Sequence, residues 1–256
     1  MPGWFLRGLV TGRKTTRYPH AEEAAPGISP GRPMAGAYPE SGIPSLIARC
    51  PVGALRQSGP TTVAVDYRRC VHCFRCQRGP ATPLAWEPGY EWAGLSAEGG
   101  EPALEGAYRQ STNILVVDTG DCGACLSEVK QLNNPYYNMH RLGFFLTPTP
   151  RLADVLLVVG PLTDHMRVPL RKTYEAMPTP KRVIAVGVCA LSGGVFGPGF
   201  ACGAGPADLL PVDVAVPGNP PPPLAILHGL LVAVGRRPPV ALETAAAGSA
   251  PEVSAT

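Results

Sequence analysis

Three short runs of aliphatic residues constrain the fold most: NILVVD at 113–118, DVLLVVG at 154–160 and RVIAVG at 182–187. Each is too short for a helix and too continuously apolar for a strand with one wet face. Such runs read as strands buried on both faces, the mark of a parallel sheet. VDVAV at 212–216 is a fourth candidate. Between the second and third runs, Met166, Leu170, Tyr174 and Met177 recur at helical spacing with charged residues between them. Leu224, Leu227, Leu230, Leu231 and Val234 form another apolar helical face. The alternation predicts an α/β fold, an open, mostly parallel, flavodoxin-like sheet with helices on both faces. Met166 and Met177 read as core packing. His165 and His228 read as satisfied or exposed histidines.

The 256 residues leave room for this domain, over 111–235, and a smaller one. A compact cysteine-bearing segment is expected over 44–85. Residues 1–43 read as a basic arm and a Pro/Gly/Ala/Glu-rich linker, and 86–110 as a Glu/Gly-rich irregular linker. The Pro/Ala-rich stretch 236–256 reads as a disordered tail. A net charge of +3 gives no case for nucleic acid as a partner. No apolar run reaches the length of a membrane span. The opening MPGWFLRGLVTGRKTTRYPH carries Arg7, Arg13, Lys14 and Arg17 and no acid, with Trp4, Phe5, Leu6, Leu9 and Val10 between them. It reads either as an interfacial foot on a membrane or membrane partner, or as a flexible basic arm or transit peptide.

The eight cysteines fall at 50, 70, 73, 76, 122, 125, 189 and 202. No secretory apolar region precedes them, and the chain is long for a disulfide scaffold. Clusters at x2 spacing therefore read as metal ligation in a reducing compartment. Cys70, Cys73 and Cys76 form C-x2-C-x2-C, but Gly79 and Pro80 occupy the place of a fourth downstream ligand. Upstream, Cys50 stands directly before Pro51. Bacterial ferredoxin runs read C-x2-C-x2-C-x3-C-P, and the last cysteine of each run ligates the other run's cluster. Removing one cluster's ligands from two such runs leaves C-P, a gap, then C-x2-C-x2-C. Cys50, Cys70, Cys73 and Cys76 are thus expected to hold one 4Fe–4S cluster, with TTVAVDY as the strand leading into the loop. Structural zinc is the rival, but this is a poor zinc spacing. The segment resembles a ferredoxin domain reduced to one cluster. LRGLVTGRKTTRYP also resembles the opening of the ferredoxin-like subunits of membrane-bound hydrogenase complexes.

Cys122 and Cys125, in GDCGACLSEV, follow the first strand of the main domain; Cys189, in VGVCALSGG, follows another. Open α/β sheets bind ligands at these carboxyl ends, and the glycines let the backbone approach a bulky group. DTGDCGACLSEV, RLADVLLVVGPLTDHMRVPLRKTYEAMPTPKRVIAVGVCALSGG and LLPVDVAVPGNPPPPLAILHGLL together resemble one family. It is the small cluster-bearing (20 kDa, or B) subunit shared by respiratory complex I and energy-converting NiFe hydrogenases. The C-x2-C form is nearer the hydrogenase branch, including formate hydrogenlyase-type complexes. The resemblance implies a second 4Fe–4S cluster beside the active site of a large catalytic subunit, with Cys122, Cys125 and Cys189 as three ligands. The family's fourth motif, V-P-G-C-P-P, here reads VPGNPPPP, so Asn219 stands at the cysteine position. Three alternatives follow: Asn219 ligates weakly through its oxygen or leaves the corner open to water or another chain, Cys202 swings in, or the site holds a three-iron centre or nothing. A thioredoxin-like pair is the rival reading of Cys122 and Cys125.

No Ser/His/Asp grouping, P-loop or dinucleotide fingerprint is present, so the chain alone is expected to hold no complete active site. The expectation is an electron-transfer subunit of a membrane-associated hydrogenase or quinone-oxidoreductase-like complex. Its partners would be a large catalytic subunit, membrane subunits and a ferredoxin or other donor, and its place the cytoplasmic, inner face of the cell membrane. Asp121 and Glu128 flank the second set as proton relays, as part of a quinone or nickel-site interface, or simply as capping or solvated carboxylates. The rival functions are a structural subunit that has lost its second cluster, and a thiol-based redox sensor or assembly factor.

Overall fold

The computed structural model describes residues 3–78, 83–96, 104 and 106–243. The main sheet contains β7 (Thr112–Asp118), β8 (Phe144–Leu146), β9 (Val155–Val159), β10 (Arg182–Val186) and β11 (Val214–Val216), with β6 (Gly94–Leu95) at one edge. Its order is β6-β11-β10-β9-β7-β8. All neighbours are parallel except β6, which runs antiparallel to β11. Counting only the parallel strands, the order is 2-1-3-4-5, the flavodoxin-like arrangement, whose switch point lies between β7 and β9.

The period of two in a strand sends alternate residues to opposite faces, and here both faces are covered. Val155, Leu157 and Val159 of β9 pack with helices α3 (Ala124–Gln131) and α6 (Pro223–Ala233). Leu156 and Val158 pack with α4 (Asp164–Ala176) and α5 (Val188–Ser192). This is why the runs are apolar throughout: every residue of β9 and β10 is buried. Helix α6 is buried along its whole length, as an all-apolar helix must be. His228 lies inside it as a satisfied core histidine, its Nδ1 accepting from the Ala93 N–H and its Nε2 facing the Pro238 carbonyl. His165 is exposed.

The smaller module is an antiparallel sheet of β2 (Gly36–Ala37), β4 (Thr62–Val65) and β3 (Leu55–Gln57), covered by α2 (Ile43–Ala48). Its core gathers Ile43, Leu46, Leu55, Val63, Val65, Tyr67 and Leu84. A separate ribbon pairs β1 (Arg32–Pro33) with β5 (Trp86–Glu87).

Three stretches expected to be irregular are built into the fold. Tyr18 is buried edge-on against Tyr90, and the Thr16 N–H donates to the Tyr136 carbonyl, so the second half of the N-terminal arm packs on the main domain. Within 86–96, Tyr90, Trp92 and Ala93 are buried against α6; α6 has no polar face and needs this cover. Residues 236–243 run back to the small module. The Val240 N–H donates to Ala93, and the Tyr67 N–H donates to Leu242. Glu243 pairs with Arg56 and Arg68, which also hold the buried Asp66. The rest of the expected tail, 244–256, lies outside the described residues. Helix α1 (Gly3–Thr11) differs from every other helix: none of its residues is buried, and Trp4, Leu6, Leu9 and Val10 are each more than half exposed.

Candidate metal centres

Cys50, Cys70, Cys73 and Cys76 line one small, almost wholly apolar cavity with Pro33, Val52, Ala54, Val71 and Trp86. Cys50 comes from the end of α2, where its Sγ accepts from the Ala54 N–H at 3.2 Å. The other three come from the loop after β4. His72 and Phe74, the residues just before and after Cys73, take left-handed backbone angles, φ 50° and 60°. Left-handed non-glycine residues cost about 1–2 kcal/mol each, and here they curl the chain so that three thiols face one cavity. Side-chain stacking holds the curl: Phe74 lies 4.2 Å from Trp86, and His72 packs between Trp86 and Trp92. Burial, with repulsion from Cys76, Cys50 and Cys73, pushes the Cys70 thiol up to about 12. Burial also raises Cys76, and Cys73 and Cys50 add to it. Four thiolates facing one another need a cationic group between them.

The second set sits at the carboxyl ends of β7 and β10, beside the switch point. The loop after β7 carries Asp121 and Cys122, and Cys125 lies in the first turn of α3. Cys189 lies in the first turn of α5, directly after β10. Gly187 and Gly194 let the backbone pass close to the sulfurs. A Cβ on Gly187 would fall 2.4 Å from the Cys125 Sγ, and one on Gly194 would fall 2.6 Å from the Cys189 Sγ. Both have positive φ, 85° for Gly187 and 67° for Gly194. Burial raises the Cys125 thiol well above the usual range, followed by the charges of Asp121, Cys189 and Cys122. Burial raises Cys189 too, followed by Cys122 and Asp121. Gly187, the N-cap of α5, thus brings the turn that carries Cys189 up against the Cys125 Sγ.

The loop bearing Asn219 closes the same site from β11: the Val188 N–H donates to the Gly218 carbonyl at 2.9 Å. Cys202 stands on a separate loop, bridged antiparallel to Thr163. Asp121 Oδ2 accepts from the Gly123 and Leu126 N–H groups, while its Oδ1 is buried with no hydrogen-bond partner. Glu128 lies farther along α3, partly buried, and burial raises its carboxyl. Among the described residues no three His, Cys, Asp or Glu side chains converge as they would on a single metal ion. The donor chemistry suits a wider group: thiols only in the first set, three thiols and a carboxylate in the second, each beside close-packed backbone or apolar walls.

Sequence reasoning did not single out His72, Trp86 or Trp92. The signal available was weak: a histidine between two cysteines, and two tryptophans in a stretch otherwise rich in Glu and Gly.

The chain was compared with known proteins. The family described as NADH ubiquinone oxidoreductase, 20 kDa subunit, matches residues 122–233, a span that holds Cys122, Cys125, Cys189 and Asn219. An uncharacterized protein of Methanocaldococcus jannaschii is 42% identical over 123 residues, 48% of this chain and 82% of its own. A probable membrane-bound hydrogenase subunit of Pyrococcus furiosus is 42% identical over 121 residues, 47% of this chain and 72% of its own. Formate hydrogenlyase subunit 7 of Escherichia coli is 37% identical over 127 residues, 50% of each chain. With these ordered matches on a flavodoxin-like sheet, the chain belongs to the family of the 20 kDa subunit of NADH ubiquinone oxidoreductase.

Proposed function

We propose that this chain is a two-site electron-transfer subunit of a membrane-associated hydrogenase or complex I-like assembly. Cys50, Cys70, Cys73 and Cys76 would hold one 4Fe–4S cluster, and Cys122, Cys125 and Cys189 the second. Clusters bound there would supply one-electron chemistry at potentials set by ligand charge, hydrogen bonds and exposure. The protein's own part is to fix the two sites relative to one another and to exclude water from the space between.

One observation carries the reading: a single run of contacts joins the two sets. His72, between Cys70 and Cys73, lies 5.5 Å from Trp92. The Trp92 indole N–H donates to the Pro217 carbonyl at 2.8 Å. Pro217 leads into Gly218, whose carbonyl holds the first residue of α5, next to Gly187 and Cys125. The link is aromatic and dry: His72 is largely buried and Trp92 is 2% exposed. A chain that only scaffolded a complex would have no use for a packed bridge between two thiol sets. The large catalytic subunit would then dock over the Cys122 side, where that thiol is exposed, and a donor over exposed Cys73.

Helix α1 and the basic residues Arg13, Lys14 and Arg17 would rest on the anionic inner surface of the cell membrane beside the membrane subunits. No helix among the described residues is long and apolar enough to cross a membrane, so attachment through these residues would be peripheral.

Rapid-freeze paramagnetic resonance tests the reading. After reduction by less than one electron per chain, two distinct iron–sulfur signals should appear in a ratio set by their potentials within the mixing time. A second site that stays oxidised, or one signal only, after full reduction contradicts it. A single signal with about four irons per chain would favour the structural-subunit alternative, which Asn219 supports.

A further inference from the structure

We propose that Asp121 supplies the fourth ligand of the second site through Oδ1, in place of the thiol that Asn219 lacks. The inference rests on the reading that Cys122, Cys125 and Cys189 hold an iron–sulfur cluster.

The Asp121 carboxylate is divided between two tasks. Its Oδ2 accepts from the Gly123 N–H at 2.9 Å and the Leu126 N–H at 3.0 Å, at the start of α3. These two bonds fix the carboxylate plane. Its Oδ1 is buried and has no hydrogen-bond partner. A buried carboxylate oxygen without a donor is costly, and a cap needs only the one oxygen already engaged. The carboxylate is held against the residues next to both Cys122 and Cys125, since its donors are Gly123 and Leu126, and Gly187, at the start of the helix that carries Cys189, packs on the Cys125 Sγ. Gly160 packs against the Asp121 backbone, where an added Cβ would fall 2.4 Å from the Asp121 nitrogen.

Charge selects Asp121 over Asn219. Three thiolates and a carboxylate carry the same total charge as four thiolates. Three thiolates and a neutral amide fall one charge short. Carboxylate oxygen is also an ordinary ligand of protein-bound iron. Cys202 lies on a separate loop, bridged to Thr163. Ligation by Asp121 would require only that Oδ1 give its lone pair to the iron left without a thiolate, with no change in the helix cap.

The test uses the full chain, prepared without oxygen, as wild type, Asp121→Asn, Asp121→Cys and Asn219→Ala. Asparagine keeps an oxygen for the Gly123 and Leu126 bonds, so α3 should survive, checked by circular dichroism. Iron and acid-labile sulfide are counted, and resonance spectra are taken oxidised and reduced. The expected wild-type count is about eight irons. Asp121→Asn should lose at least one iron per chain and gain an oxidised-state signal of a three-iron centre. Asp121→Cys should restore the wild-type count, and Asn219→Ala should match wild type throughout. A wild type with about eight irons and an Asp121→Asn variant with the same count and spectrum overturns the ligand assignment alone. So does loss of iron in Asn219→Ala. A wild type with about four irons overturns the two-site reading, and the assignment with it.

Discussion

Replacing Gly187 by alanine tests how the second site is built. Gly187 has φ 85° and ψ 154°, a region that is essentially glycine-only. Forcing an L-residue into it costs about 1–3 kcal/mol. The added methyl would lie 2.4 Å from the Cys125 Sγ and 3.7 Å from its Cβ. Relief requires a shift of roughly an ångström, and overpacking of this kind costs typically about 1–3 kcal/mol. The sulfur or the backbone must move to make room. The expected loss is therefore about 4 kcal/mol. At 2–4 °C per kcal/mol for a domain of this size, that lowers Tm by about 8–16 °C. Gly123→Ala is the control: it also has positive φ, but nothing lies within 4 Å of the added Cβ, so only the backbone cost of about 1–2 kcal/mol remains. Thermal melts followed by circular dichroism, beside iron counts, read both. Equal melting temperatures in the two variants, with the second site's resonance signal intact in Gly187→Ala, would refute the close approach of backbone and sulfur.

Other consequences are as direct. Cys73→Ser should remove the first site's signal and about four irons while leaving the second site's signal in place, read by the same resonance and iron assays. Asp66→Ala removes a buried carboxylate shared by the half-exposed Arg56 and Arg68; a loss of about 1–3 kcal/mol is expected in denaturant melts, with earlier proteolysis of residues 236–243. His228 is held neutral, its pKa lowered chiefly by burial, with Glu91 partly opposing. Its folded pKa lies below its unfolded value, so its contribution to stability is full above the unfolded pKa, about 6.5. That contribution is lost as pH falls through the folded pKa. His228→Gln should flatten this acid limb in melts taken from pH 7 to pH 4. Deleting residues 3–11 should leave Tm unchanged, because α1 buries nothing, but should abolish co-sedimentation with anionic vesicles.

The parts of the fold legible in the sequence are those whose residues answer to one strong demand. β9 and β10 are buried on both faces, so their runs are apolar without interruption, and α6 is apolar because it is enclosed. That Cys122, Cys125 and Cys189 follow strands β7 and β10 was legible from the apolar runs just before them. The elements that escaped are short and take their shape from neighbours. β8 has three residues and only one neighbouring strand; β6 has two and exists because β11 offers an open edge. Residues 86–96 looked irregular because their demand is to cover α6, which no local pattern records. Asp121 was visible as a residue beside a cysteine. That one of its oxygens is engaged and the other is buried and unsatisfied depends on where α3 begins, and that is decided by Gly123 and Leu126 in three dimensions.

The central claim is that the seven thiols at 50, 70, 73, 76, 122, 125 and 189 hold two iron–sulfur clusters. Quantifying iron and acid-labile sulfide in anaerobically purified full-length chain tests it most directly. The account predicts about eight of each per chain. Colourless protein with no labile sulfide would contradict it.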